Sequence, residues 1–367
     1  MKADSEPVRN PLGPVPRQRH ESYSATLNST IVAYSIIPSA NPLDDQERGI
    51  TKNVVKKTWS LFKIAGRARG VHRKSIGVNG MVKWGIHSLL WTERFDANPE
   101  PVARKAKAFG FDGIEIYVAP SQIDSFDKGR VKKALRETNL ECIGCTCLDK
   151  ETDVTSADEA VRKRGINHLQ KSAELFSELG GDFVSGVTYG AWGKLTGTGP
   201  TNEEWNNSAE SLKTACRLIR DTGVTIGLEP ANRFETYVLN TAADAVRLAK
   251  KVGEPNIGVH LDTFHMNIEE KSPYEAIVST NELLRYVHLC ENDRGVAGTG
   301  NVNWDSIFKA LATIGYDRWI TLESFTPEIK SVAASTAIWR QVAPSADAIA
   351  SDGLKFLKSM REKYHSH

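Results

Sequence analysis

Eight short apolar runs, spaced along the chain from Lys83 onward, constrain the fold more than any other feature. They read KWGIHSLLW (83–91), DGIEIYV (112–118), ECIGCTCL (141–148), DFVSGVTY (182–189), VTIGLEP (224–230), NIGVHLD (256–262), RYVHLCE (285–291) and RWITLES (318–324). Runs this short and this apolar suit strands buried on both faces. Helix-like segments separate them: 99–110, 165–181, 208–223, 241–253 and 304–315, each closed by or near a glycine. The run after Ser272 gives no clear helical period. Alternating strands and helices imply a parallel sheet with crossover helices, and eight is the number that closes a (β/α)8 TIM barrel. A doubly wound open sheet would carry a glycine-rich first turn, but LLWTERFD (89–96) has no glycine. The fold expected is α/β, a TIM barrel over residues 81–367.

Residues 1–80 have a different character. They hold 13 Lys/Arg against 6 Asp/Glu, while the whole chain is nearly neutral at +2. PVRNPLGPVPRQRH (7–20) is too proline-rich and polar to fold alone. This extension is expected to be a disordered leader or no part of the native enzyme, with Met81 as the natural start; a targeting or binding role is the alternative. No run reaches the ~20 apolar residues of a membrane span, and no signal peptide opens the chain. Five cysteines, an odd number, suggest reduced thiols and a cytoplasmic setting. CIGCTC (142–147) lacks a second CxxC pair and alternates like a core strand. Gly295, Gly298 and Gly300 do not have the spacing of a dinucleotide loop.

Barrel enzymes place their chemistry at the C-terminal ends of the strands. Here the polar residues at those ends are few: Glu229 at the end of the fifth strand, Asp262 at the end of the sixth, His288 within the seventh and Glu323 at the end of the eighth. Three carboxylates crowded into one mouth would repel one another without a cation. Three oxygen donors and one imidazole suit a divalent ion, Mn2+ first, with Co2+ or Mg2+ as alternatives. Glu235, His265 and Arg294 lie just beyond these ends, in loops. They could hold the hydroxyls of a polyol or form ion pairs within the loops.

Four separated segments, LEPANRFET (228–236), LDTFHMNIEE (261–270), VHLCENDRGVAGTGNVNWDSIF (287–308) and TLESF (321–325), resemble the ketose 3-epimerases of the tagatose and allulose (psicose) type. That family belongs to the xylose-isomerase-like TIM-barrel superfamily. GIHSLLWTERFD (85–96) and VTYGAW (187–192) fit the resemblance as well. It implies metal ligation by Glu229, Asp262, His288 and Glu323, substrate orientation by Glu235, His265 and Arg294, and a pocket lined by Trp192 and His87. Glu229 and Glu323 become the catalytic pair, inverting C3 of a free ketose through a cis-enediolate, with a divalent metal and no organic cofactor. His87 in place of an aromatic residue, and Cys290 in place of a frequent glycine, depart from the family and bear on which sugar is used.

Two other enzymes would use the same site, an epimerase of a 3-oxo-glycoside and an aldose–ketose isomerase. A metal-dependent apurinic endonuclease needs more histidines than His87, His168, His260, His265 and His288 supply. A non-catalytic sugar binder has no use for two opposed glutamates. The expected partner is a small sugar, with no nucleic acid or membrane, and the expected assembly is a homodimer or homotetramer.

Overall fold

A computed structural model of the chain describes residues 82–365. The reading of residues 1–80 lies outside the described residues. Eight parallel strands close into a barrel in sequence order: β1 (Lys83–His87), β2 (Gly113–Tyr117), β3 (Glu141–Cys145), β4 (Phe183–Ser185), β5 (Thr225–Leu228), β6 (Ile257–Asp262), β7 (Leu284–Leu289) and β8 (Trp319–Leu322). Closure is made by β1 against β8, with Gly85 opposite Thr321 and Ile86 opposite Leu322. Seven of the strands lie inside the apolar runs and β7 begins one residue before its run; all the runs except the sixth extend past their strands toward the mouth.

The larger helices form the outer layer: α1 (Pro99–Phe109), α2 (Lys128–Thr138), α3 (Glu159–Glu178), α4 (Asn202–Leu218), α5 (Ala242–Val252), α7 (Pro273–Thr280), α8 (Trp304–Thr313) and α10 (Ala346–His365). Two short helices follow strands directly or stand at the mouth, α6 (Thr263–Glu269) after β6 and α9 (Lys330–Thr336) after β8. Capping explains several boundaries. The Thr201 hydroxyl accepts from the Glu204 amide while the Glu204 carboxylate takes the Thr201 amide, a reciprocal pair that starts α4 earlier than its apolar period suggests. Asp158 likewise starts α3 six residues before its expected beginning at Gly165. Gly110 and Gly253, both left-handed, close α1 and α5.

Helix α3 lies so close to β3 that a side chain at Gly144 would not fit. A Cβ there would sit 2.3 Å from Cδ2 of Phe176, which is fully buried. Burying such an aromatic ring contributes roughly 1.5–3 kcal/mol. The barrel interior is layered. Ile143, Phe183 and Tyr286 form an apolar floor, with Trp319 packed against them. Above it the rings of Tyr286, His260 and His288 stack edge to face at 4.7 Å and 5.2 Å from Tyr286. Cys142 and Cys145 are buried in β3 and all five cysteines are free, as the core reading of CIGCTC requires. No helix among the described residues is long and apolar enough to cross a membrane.

Candidate metal and sugar site

The four strand-end residues meet. Glu229 follows β5, Asp262 ends β6, His288 lies in β7 and Glu323 follows β8, and one donor atom from each falls within 4.8 Å of all the others. All four side chains are buried. His288 Nδ1 stands 3.5 Å from an oxygen of Glu229 and 3.5 Å from one of Glu323, without a hydrogen-bond partner. An imidazole nitrogen orphaned among three carboxylates is a poor arrangement for protein alone and a good one for a divalent cation. The donors therefore fit a metal ion. Glu229, His260 and His288 form a second, overlapping group of donors one layer lower.

The charges respond to this crowding. Burial would lower the His288 pKa, but the negative field of Glu115 and Glu323 overrides it and holds the imidazole well above its ordinary value. Burial pushes Glu229 up, and His288 only partly offsets it. Glu323 would rise for the same reason, yet Arg294 and His288 hold it well below the usual carboxylate range. The two glutamates thus have opposite leanings, one toward holding a proton and one toward giving it up.

Arg294 explains that split. Its Nη1 lies 2.9 Å from Asp262 Oδ2 and 2.5 Å from Glu323 Oε2. The guanidinium sits 3.9 Å from the Phe264 ring centroid and 5.0 Å from that of Phe325. Its backbone takes a left-handed φ of 64°, unusual for a residue with a side chain. Ser324 Oγ donates to the Arg294 carbonyl and fixes that turn. Arg294 thus pairs with the site carboxylates and not within its own loop.

His265 stands in helix α6, not in a loop as the sequence suggested. Asp262 accepts from the Phe264 amide and so caps that helix directly at the strand end. His265 Nδ1 accepts from the Asn232 backbone and side chain at 3.2 and 3.0 Å, which leaves Nε2 as the protonated nitrogen, 3.8 Å from Asp262 Oδ2. Glu235 accepts from Asn232 Nδ2 at 2.8 Å and from Trp192 Nε1 at 3.0 Å. His87 Nδ1 accepts from the Leu89 amide at 3.1 Å, so its Nε2 carries the proton, 3.7 Å from Glu323. Burial lowers the His87 pKa and favours the neutral ring.

A cavity of about 230 Å3 opens over this tier. Its lining includes His87, Trp192, Glu229, Glu235, His265, Arg294 and Glu323. Asp262 and His288 do not line it. Tyr117, Phe264, Phe325 and Val332 supply apolar wall, and Ser331, Ser335 and Thr336 of α9 supply hydroxyl-bearing positions. Three site residues escaped the sequence reading. Asn232 joins Glu235 to His265. Glu291 orders the long loop after β7 by accepting from the amides of Gly298 and Val302 and from Trp304 Nε1. Glu115, in the middle of β2, bonds His288. Its signal was a lone acid inside the apolar run DGIEIYV.

Residues 103–360 match the family of xylose isomerase-like TIM barrels. Among curated relatives, a ketose 3-epimerase of Arthrobacter globiformis is 38% identical over 71% of this chain and 90% of its own. An L-ribulose 3-epimerase of Methylomonas sp. is 36% identical over 76% of this chain and 97% of its own. The crystal structure of a D-allulose 3-epimerase from Methylomonas sp. in complex with D-allulose superposes with a TM-score of 0.73 at 34% identity, over 77% of this chain and 98% of that one. The chain belongs to the ketose 3-epimerases, an isomerase-class branch of the xylose isomerase-like TIM barrels.

Proposed function

We propose that the protein inverts C3 of an unphosphorylated ketose of the fructose/allulose, tagatose or ribulose type, using one divalent metal ion, Mn2+ in the first instance. The reading rests on one observation above the others: one donor atom each of Glu229, Asp262, His288 and Glu323 lies within 4.8 Å of all the others, with both glutamates facing the orphaned Nδ1 of His288. Glu229, Asp262, His288 and Glu323 would hold the ion. When bound, it supplies Lewis-acid stabilisation of the negative charge that develops on the sugar oxygens.

The protein's own residues do the rest. A hydrogen on the carbon beside a ketone is weakly acidic. One glutamate removes it from one face of C3, leaving a cis-enediolate, and the other returns a proton to the opposite face. Which glutamate accepts and which delivers depends on the direction of the reaction. General acid–base steps of this kind contribute roughly 10²–10⁴-fold each. His265 Nε2, Arg294 and Glu235 face the same cavity and would fix the sugar hydroxyls, so that C3 stays between the carboxylates. Among the described residues the only Lys or Arg on the cavity lining is Arg294, already shared by two carboxylates, which favours a substrate without phosphate. Free cysteines suit a cytoplasmic setting, and a homodimer or homotetramer is the assembly the family resemblance implies.

The test is product analysis. Protein with Mn2+ is incubated with D-fructose, D-tagatose and L-ribulose in turn, and the sugars are separated by chromatography. A C3-epimeric ketose, lost with EDTA, supports the reading. An aldose product, or conversion only of a 3-oxo-glycoside, would replace it with one of the other two reactions this site can serve.

A further inference from the structure

Glu115 is the least expected charge in the molecule. It occupies the centre of β2, between Ile114 and Ile116, with no exposed surface. A carboxylate buried in an apolar strand is destabilising by several kcal/mol unless it is partnered. Its Oε2 lies 2.7 Å from His288 Nε2, while Oε1 has no partner. His87 Nε2 approaches the same Oε2 at 3.8 Å, too far for a hydrogen bond. The bond to His288 is therefore the closest side-chain contact of Glu115.

That bond decides which nitrogen of His288 is free. A carboxylate can only accept, so Nε2 must carry hydrogen. The lone pair of the neutral ring is then confined to Nδ1, the atom that faces Glu229 and Glu323. Rotating the ring by half a turn would exchange each nitrogen for a carbon, placing Cε1–H against Glu115 and Cδ2–H toward Glu229 and Glu323. The fixed carboxylate in β2 opposes that exchange.

We propose that Glu115 is a positioning residue for the metal centre: from β2 it holds His288 in the Nε2–H tautomer and so presents Nδ1 to the ion. The proposal rests on the metal-centre reading given above. A carboxylate behind a ligating histidine typically contributes 10–100-fold to metal affinity. A purely structural ion pair would contribute to stability and leave affinity alone, so the two roles separate experimentally.

The experiment titrates Mn2+ alone into purified full-length protein by calorimetry, comparing wild type with Glu115→Gln, Glu115→Leu and His288→Gln. Glu115→Gln keeps the volume and an acceptor oxygen but loses the charge, and should weaken Mn2+ binding roughly 10–100-fold. Glu115→Leu should weaken it more. If the leucine variant does not fold, the glutamine variant decides. In parallel, 15N spectra of histidine-labelled wild type, taken above the pH at which the His288 ring loses its second proton, should show the neutral ring as the Nε2–H tautomer, and those of Glu115→Leu a mixture. Wild-type affinity in a folded Glu115→Gln, or a neutral His288 ring in the wild type that carries its hydrogen on Nδ1, would overturn the proposal while the metal centre stands. Unchanged Mn2+ binding in His288→Gln would overturn the metal centre itself, and the role of Glu115 with it.

Discussion

Strands β5 to β8 deliver Glu229, Asp262, His288 and Glu323 to one point, whereas β1 to β4 end in His87, Tyr117, Cys145 and Ser185, none of them a carboxylate. One half of the barrel concentrates charge and the other half walls it in. The arrangement has a physical logic. Three carboxylates need a cation close by, but they also need surroundings that keep water from screening that attraction. The apolar half supplies those surroundings and, from the middle of β2, places the buried carboxylate of Glu115 one step behind the donors. Arg294 belongs with the charged half, where it neutralises two of the three acids from the side.

The largest test of this division is to change one strand-end residue in each half. Glu323→Gln should lower epimerisation by about 10²–10⁴-fold, the range for loss of a general acid–base group, while Cys145→Ser in β3 should leave turnover within a few-fold of wild type. Steady-state assays on one ketose make the comparison, and equal losses in both variants would break it.

The next effect is on stability without metal. Arg294→Met keeps much of the side chain's bulk but strands Asp262 and Glu323 as buried carboxylates. The metal-free protein should lose about 3–5 kcal/mol, and added Mn2+ should restore much of that by binding the folded state. Chemical unfolding with and without the ion measures both.

Gly144→Ala probes the apolar half. The new methyl would meet Phe176 and force α3 off the barrel, at a cost of about 1–3 kcal/mol. Mn2+ affinity in the folded variant should not change, because the clash lies on the helix side of β3.

The smallest effect is graded with pH. His288 has its pKa raised, so its ring stays protonated at and above the pH where an ordinary histidine becomes neutral. A metal must displace that proton. Affinity should therefore fall as pH falls, by up to about tenfold per unit below the His288 pKa, with about one proton released per ion bound from this group. Calorimetry in buffers of different ionisation enthalpy counts the protons; binding independent of pH between 6 and 8, as set in the assay, would contradict this (roughly the interval in which histidines respond).

The same division governs what could be read from the sequence. The charged half was legible because Glu229, Asp262 and Glu323 stand at the ends of apolar runs, where an acid stands out, and His288 lies near the end of the run between the last two. Strand number and order were legible for the same reason. Glu115 was not, because one polar residue in a strand does not reveal which way it faces until the barrel closes; Ile114 and Ile116 then prove to flank an inward carboxylate. His265 was placed in a loop because Asp262 serves at once as strand end and helix cap, so no linker separates β6 from α6. The α9 wall of the cavity was missed because its contribution depends on how the segment after β8 folds back, which no local pattern reports.

The measurement that bears most directly on the central claim is anomalous diffraction at the manganese edge from crystals grown with Mn2+. The expected result is one peak about 2 Å from His288 Nδ1 and from one oxygen each of Glu229, Asp262 and Glu323. A peak among Glu229, His260 and His288 instead, or none in the barrel mouth, would contradict the account.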